Sequence, residues 1–333
     1  GALVWSISPA ASFGNNLQEI GLQHGIAARL VPMDSNGDGF TDRVYASDTG
    51  GNVWRVDLAG TDRSKWGIVK LAAFNGGDAA NDRRFFNMPD IVRARRGAMA
   101  FDAVLIGSGD RTNPTAADVT NRFYMIQDMR TVPYTNARPT TAECGTDVSP
   151  GTRYDDFRCK LPLAESDLYD ATADLIQEGD ADEQVAALAD LYSASGWYIT
   201  LENTGEKGLA SSLTVGGNVV FTTFSPETAN ENLCVPQPGQ GYLYAVNLLD
   251  AGAVFGFDGH APDKLEKSDR MAQMGTMILD TPSAHVGSDG RIRLVFPAGG
   301  TNGKEVEEMQ GSIFDTQIQL SGAKGNYWYQ EEF

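Results

Sequence analysis

The chain has 333 residues, 41% of them hydrophobic, with 37 glycines, a formal net charge of −18 and a sequence pI of about 4.5. That charge excludes recognition of DNA or RNA through phosphate contacts, which takes clustered Lys and Arg, and no apolar run is long enough to span a bilayer as a helix. The length holds two average domains or one large β domain, and the acidic balance suits a soluble extracytoplasmic protein that attracts divalent cations.

The chain opens on Gly1-Ala2-Leu3-Val4-Trp5 with no Met and no leader, and reads as a piece of something longer. Ala2 to Ile7 is a short strand, and Arg29 to Met33 is apolar and extended. Next comes Asp34-Ser-Asn36-Gly-Asp38-Gly39-Phe40-Thr-Asp42, with an oxygen-bearing side chain at every second residue and then a glycine. A hard cation such as Ca²⁺ needs that spacing. Asp34, Asn36 and Asp38 each turn an oxygen inward as the backbone curls, Gly39 takes the sharp bend, Phe40 offers its carbonyl oxygen, and Asp42 closes the ring directly or through water. An EF-hand would place a bidentate Glu at the twelfth position; here that position is Tyr45, within a strand. The reading is a short calcium loop joining two strands, with an affinity of about 10⁻⁷ to 10⁻³ M. The alternative is an Asx-rich turn without metal, since Asp, Asn and Gly favour turns in any case.

A hairpin follows. Val44 to Asp48 and Asn52 to Asp57 alternate apolar with polar residues, and Thr49-Gly50-Gly51 turns between them. Similar runs are Phe101 to Ile106 leading into Gly107-Ser-Gly-Asp110, Arg122 to Asp128, Leu213 to Val215 turning at Gly216-Gly-Asn218 into Val219 to Phe224, Gly241 to Asn247, Ala253 to Asp258, and Ser288-Asp-Gly290 before Arg291 to Phe296. An apolar, aromatic-bearing run closed by Asp or Asn recurs at 43–48, 122–128 and 241–247. That recurrence predicts an all-β chain built as a β-propeller with long insertions, with room for six to eight blades at about 40–50 residues per blade. Residues 161–192 break the pattern as a helical hairpin insertion, with Leu168, Leu175 and Ile176 in one stripe and Val185, Leu188, Leu191 and Tyr192 in the other. Ser166 and Asp182 are placed to cap these helices, and Gly179 separates them. Cys144 and Cys159 flank a polar loop, and their spacing fits either a disulfide in an oxidising compartment or two unrelated thiols; Cys234 is left over. His24, His260 and His285 are scattered, and no nucleophile elbow or Walker lysine motif occurs.

Asp34 to Asp42 with the following Arg43-Val-Tyr-Ala-Ser-Asp-Thr-Gly-Gly-Asn-Val-Trp-Arg-Val-Asp-Leu58 resembles the C-terminal domain of the PilY family of type IV pilus proteins. Gly196-Trp-Tyr198 with Thr204-Gly-Glu-Lys207, Val219 to Phe224, Gly241 to Asn247 and Tyr327-Trp-Tyr329 are similar to that family too. The resemblance implies a single modified β-propeller domain of about seven blades over 1–333. It implies Ca²⁺ held by Asp34, Asn36, Asp38, the Phe40 carbonyl and Asp42, and a role in pilus extension and retraction, twitching motility and adhesion. It further implies location at the pilus tip or outer membrane surface, with pilins, minor pilins and a host receptor as partners. The hairpin Asp48-Thr-Gly-Gly-Asn-Val-Trp54 also approaches the tryptophan-docking phrase of quinoprotein dehydrogenases, an enzyme reading, and a purely adhesive propeller with structural calcium is the third.

Overall fold

The computed structural model describes residues 3–10, 16–131, 160–226, 239–257, 260–261, 263–286, 291–295 and 313–319. Cys144, Cys159, Cys234, Ser288 to Gly290 and Tyr327 to Tyr329 lie outside them. Two short strands, β1 (Ser6–Ser8) and β2 (Asn16–Gln18), pair in parallel. The first large sheet is an antiparallel meander of β3 (Val31–Met33), β4 (Arg43–Ser47), β5 (Asn52–Asp57) and β6 (Gly67–Ala73). The second contains β7 (Asp90–Arg96), β8 (Met99–Gly107) and β9 (Arg122–Asp128), to which β11 (Gly196–Thr200) and the two-residue β10 (Tyr169–Asp170) add in the order β10-β11-β9-β8-β7. The third is β12 (Leu213–Val215), β13 (Asn218–Ser225), β14 (Gln240–Asn247) and β15 (Met271–Gly275), and the fourth β16 (Ser283–Val286), β17 (Arg291–Val295) and β18 (Ile313–Gln319). The recurring aromatic phrase supplies β4, β9 and β14, an inner strand in each of the first three sheets.

Side chains alternate across a strand with period two, and here both faces are buried. On β8, Phe101, Ala103 and Leu105 pack with Val219, Phe221, Tyr244 and Val246 of the third sheet. The intervening Val104 and Ile106 pack with Tyr45, Val53 and Leu71 of the first. On β14 and β13, Leu243, Ala245 and Val220 turn the other way, toward Leu294 of the fourth sheet. Consecutive sheets therefore stack face to face in chain order. Stacked rings tie them: Phe74 on Tyr124 at 4.3 Å, and Phe221 between Phe123 (3.7 Å) and Tyr244 (4.7 Å). The chain is mostly β, as expected, and the polar positions Arg43, Arg55 and Asp57 of the β4–β5 hairpin are buried as well.

Two elements differ from expectation. The helical hairpin shrinks to a single turn, α1 (Leu175–Glu178), and one real helix, α2 (Ala181–Ser193). Leu168 ends a 3₁₀ turn and leads into β10, because Tyr169 and Asp170 pair with Trp197 and Tyr198 of β11. Asp180, not Asp182, caps α2: its carboxylate accepts from the N–H groups of Asp182 and Glu183, while Glu183 accepts from the Asp180 N–H, a capping box. Within α2, Ala187 and Leu191 are buried whereas Val185 and Tyr192 are exposed. The second difference is Ala253 to Asp258. A tight turn, with Ala251 at φ 64°, returns the chain so that, among the described residues of this run (Ala253 to Phe257), Ala253 alone bridges β14, at Val246. Phe255 and Phe257 then pack against the third core cluster as an irregular arm, and β15 pairs with β14 in their place.

Candidate metal centre

Met33 of β3 pairs with Arg43 of β4, so Asp34 to Asp42 is the closed tip of an antiparallel hairpin. The curl is set by backbone amides converging on Asp34. Its Oδ1 accepts from Gly37 N (2.7 Å) and Asp38 N (3.2 Å), and its Oδ2 from Gly39 N (2.7 Å). The Gly39 N–H is the chief reason that the Asp34 carboxyl sits below its usual range. Gly37 and Gly39 make the curl possible with φ of 80° and 88°, a region that penalises a Cβ. Asn36 Oδ1 accepts from Asp38 N (2.8 Å), its Nδ2 donates to Asp38 Oδ2 (3.1 Å), and Asp38 Oδ1 accepts from Phe40 N (2.9 Å). Phe40 is 76% exposed.

Asp42 is placed differently. It is buried, and both carboxylate oxygens accept from Ser35: Oδ1 from the backbone N–H (3.0 Å) and Oδ2 from the hydroxyl (2.6 Å). Among the described residues no group of three or more His, Cys, Asp or Glu is gathered to hold a metal. The donor set nevertheless suits a hard cation in kind and order, two of its ligands being an amide and a carbonyl oxygen. Three carboxylates without a counter-ion repel, so a cation is what would draw Asp38 and Asp42 in beside Asp34.

A buried charge network lies behind the loop, and sequence reasoning missed it. Arg43, the first residue after the loop, donates from Nη1 to Asp102 Oδ2 on β8 and from Nη2 to Thr131 O (2.8 Å). Arg93 on β7 donates from Nε to the other oxygen of Asp102 (3.0 Å) and from Nη1 to Ser35 O inside the loop (3.0 Å). Beside them Arg55 holds Asp57 (2.7 Å) and Asp128 (2.6 Å), and the Tyr45 hydroxyl donates to Asp128 Oδ2 (2.8 Å). Burial works against the Arg55 charge, but Asp128 and Asp57 more than offset it and raise its pKa. Burial, then the charge of Asp128, pushes the Tyr45 hydroxyl up, so it stays a donor. Arg43, Arg55, Asp57, Asp102 and Asp128 are each no more than 1% exposed. Of the histidines, His260 pairs with Asp269 at 2.7 Å and His285 is exposed.

No protein-family model matches the chain. The "Type IV pilus biogenesis factor PilY1 homolog" of Xylella fastidiosa is 25% identical over 239 residues, which are 68% of this chain and 14% of that protein. The crystal structure of the Pseudomonas aeruginosa PilY1 C-terminal domain superposes with a TM-score of 0.50 at 16% identity, over 81% of this chain and 58% of that one. The chain thus spans about a seventh of the curated relative's length. The resemblance to the C-terminal domain of the PilY family read from the sequence holds in both, once in sequence and once in fold.

Proposed function

We propose that this chain is a calcium-binding, propeller-type domain of a type IV pilus biogenesis protein, acting as a binding and regulatory module and not as an enzyme. About seven blades over 1–333 would close the ring of which the face-to-face stacking of successive sheets is a part. Asp34, Asn36, Asp38, the Phe40 carbonyl and Asp42 hold Ca²⁺, which supplies two positive charges to neutralise three clustered carboxylates. The domain sits at the cell surface or pilus tip. Pilins, minor pilins and a host receptor are its partners, and twitching motility and adhesion its outputs. Loaded and empty loops must differ in affinity for a partner if calcium is to bias pilus extension against retraction.

The observation that supports this reading is the hairpin tip itself, where three backbone N–H groups converge on Asp34 and curl the chain that carries Asn36 and Asp38 around it. Quinoprotein chemistry gains no support from Asp48 to Trp54. The Asp48 carboxylate accepts from Gly50 N (2.9 Å), Asn52 Nδ2 (2.9 Å) and Trp54 Nε1 (2.7 Å), so the phrase closes its own turn.

Calorimetric titration of the calcium-stripped chain with CaCl₂, beside melting curves, tests the proposal. One site with a dissociation constant of about 10⁻⁷ to 10⁻³ M is expected, weakened at least tenfold in Asp42→Ala with the fold retained. Unchanged affinity in that variant rejects the ligand assignment. Unfolding of the wild type on chelation would instead favour an adhesive propeller riveted by structural calcium.

A further inference from the structure

We infer that Arg93 is a positioning residue for the Asp34–Asp42 loop, and that together with Asp102 it carries the loop's state into the second sheet. This rests on the loop being the calcium site. Ser35 is held from two sides. Its carbonyl accepts from Arg93 Nη1 (3.0 Å), while its N–H and hydroxyl donate to the two oxygens of Asp42. Ser35, so anchored, orients the Asp42 carboxylate that a cation would share, and a shift of Asp42 toward the ion turns the Ser35 peptide and acts on the Arg93 guanidinium.

Arg93 cannot simply follow. Its Nε is anchored on the fully buried Asp102, whose second oxygen takes Arg43 Nη1. Arg43 is itself the residue next to Asp42. Asp102 is thus bracketed by two guanidinium groups, one from the strand that leaves the loop and one that reaches back into it. The loop and the β7–β8 pair consequently share one rigid joint, in which Arg93 serves as the span. Only a planar fork reaches both acceptors at once; a lysine keeps the charge and loses the span. Partners that orient metal ligands in this way typically alter affinity by about 10–100-fold when removed.

The test uses the whole chain in three forms: wild type, Arg93→Ala and Arg93→Lys. Calcium affinity is read by calorimetry, and amide hydrogen exchange over 90–107 is followed in EDTA and in calcium. The Arg93 side chain is 43% exposed, so the melting temperature in EDTA is expected to change by only a few degrees. Both variants are expected to bind calcium about 10–100-fold more weakly. Calcium should slow exchange across β7 and β8 in the wild type and leave it unaltered in Arg93→Ala. Wild-type affinity in either variant overturns the proposal, as does exchange in β7 and β8 that ignores calcium in a wild type that binds it. Absence of calcium heat in the wild type itself rejects the metal reading, and the proposal falls with it.

Discussion

At the residue scale, the same carboxylate chemistry is used in opposite ways six residues apart. Asp42 keeps its oxygens on one flexible side chain and one amide, which a cation can displace. Asp48 spends its own on four donors of the turn it closes: Gly50 N, Asn52 N, Asn52 Nδ2 and Trp54 Nε1, at 2.7 to 3.1 Å, with no exposure to water. Asp48→Ala strands those donors in a buried site, and each buried donor left unmet costs about 1–3 kcal/mol. Urea denaturation should report a loss of about 4 kcal/mol or more, larger than for Asp38→Ala on the exposed tip; equal losses would mean that the turn is not held by Asp48. The contrast also explains which site residues were legible. Asp34, Asn36, Asp38 and Asp42 of the candidate site stand out because their oxygen-bearing side chains recur with a local period. Arg93 lies 58 residues from Ser35 and Asp102 sits inside an apolar strand. No local pattern marks a partner that only sheet stacking brings near.

At the element scale, strands were legible where turns are short and glycine-bearing, as at Gly50-Gly51 and Gly216-Gly217, since the turn sets the register of both arms. Alternation misled where both faces of a sheet are covered. Phe101 to Ile106 serves two cores at once, and the polar members of β4 and β5 meet charges from another sheet instead of water. The helical segment misled for another reason. Its apolar stripe begins at Leu168, but that residue ends a 3₁₀ turn and the next two, Tyr169 and Asp170, pair with β11 instead of continuing as a helix. The start of α1 holds a testable strain. Asp174 is buried in the left-handed region at φ 56°, and Arg270 Nη2 stands 2.8 Å from its Oδ1 without hydrogen-bond alignment. Burial, only partly opposed by Arg270 and aided by Glu178 and Asp250, pushes its carboxyl up to about 7. The folded chain therefore holds that proton more tightly than the unfolded chain, whose carboxyl ionises near 3.8. The contribution of this one group to stability is greatest below about pH 4, falls as pH rises toward 7 by up to about 1.4 kcal/mol per unit, and levels off above it. Asparagine tolerates the left-handed backbone, so Asp174→Asn should fold and lack this slope. Urea melts of both proteins from pH 4 to 8 measure it; parallel profiles would mean that Asp174 is ionised throughout.

At the scale of the whole molecule, apolar stacking brings successive sheets together and buried charge fixes how the first two meet. A Tyr45 or Val53 face would tolerate some sliding over Val104 and Tyr124, because dispersion is not directional. Arg55 on β5 reaching Asp128 on β9, and Arg43 on β4 reaching Asp102 on β8, admit one register. Charges so deep are costly to bring out of water, and their value lies in staying paired: removing one partner costs about 3–5 kcal/mol, whereas removing both can be nearly neutral. Asp128→Leu takes the acceptor from Arg55 Nη1 and from the Tyr45 hydroxyl, and should lose about 3–5 kcal/mol by urea denaturation. In an Arg55→Met background the same change should cost far less, or stabilise, because there the Asp128 carboxylate is the uncompensated charge. The four proteins form a double-mutant cycle. A coupling beyond about 2 kcal/mol is expected for an ion pair that holds two sheets in register, whereas additivity within about 0.5 kcal/mol would mean that the sheets are held by apolar packing alone and that the network is incidental to their fit.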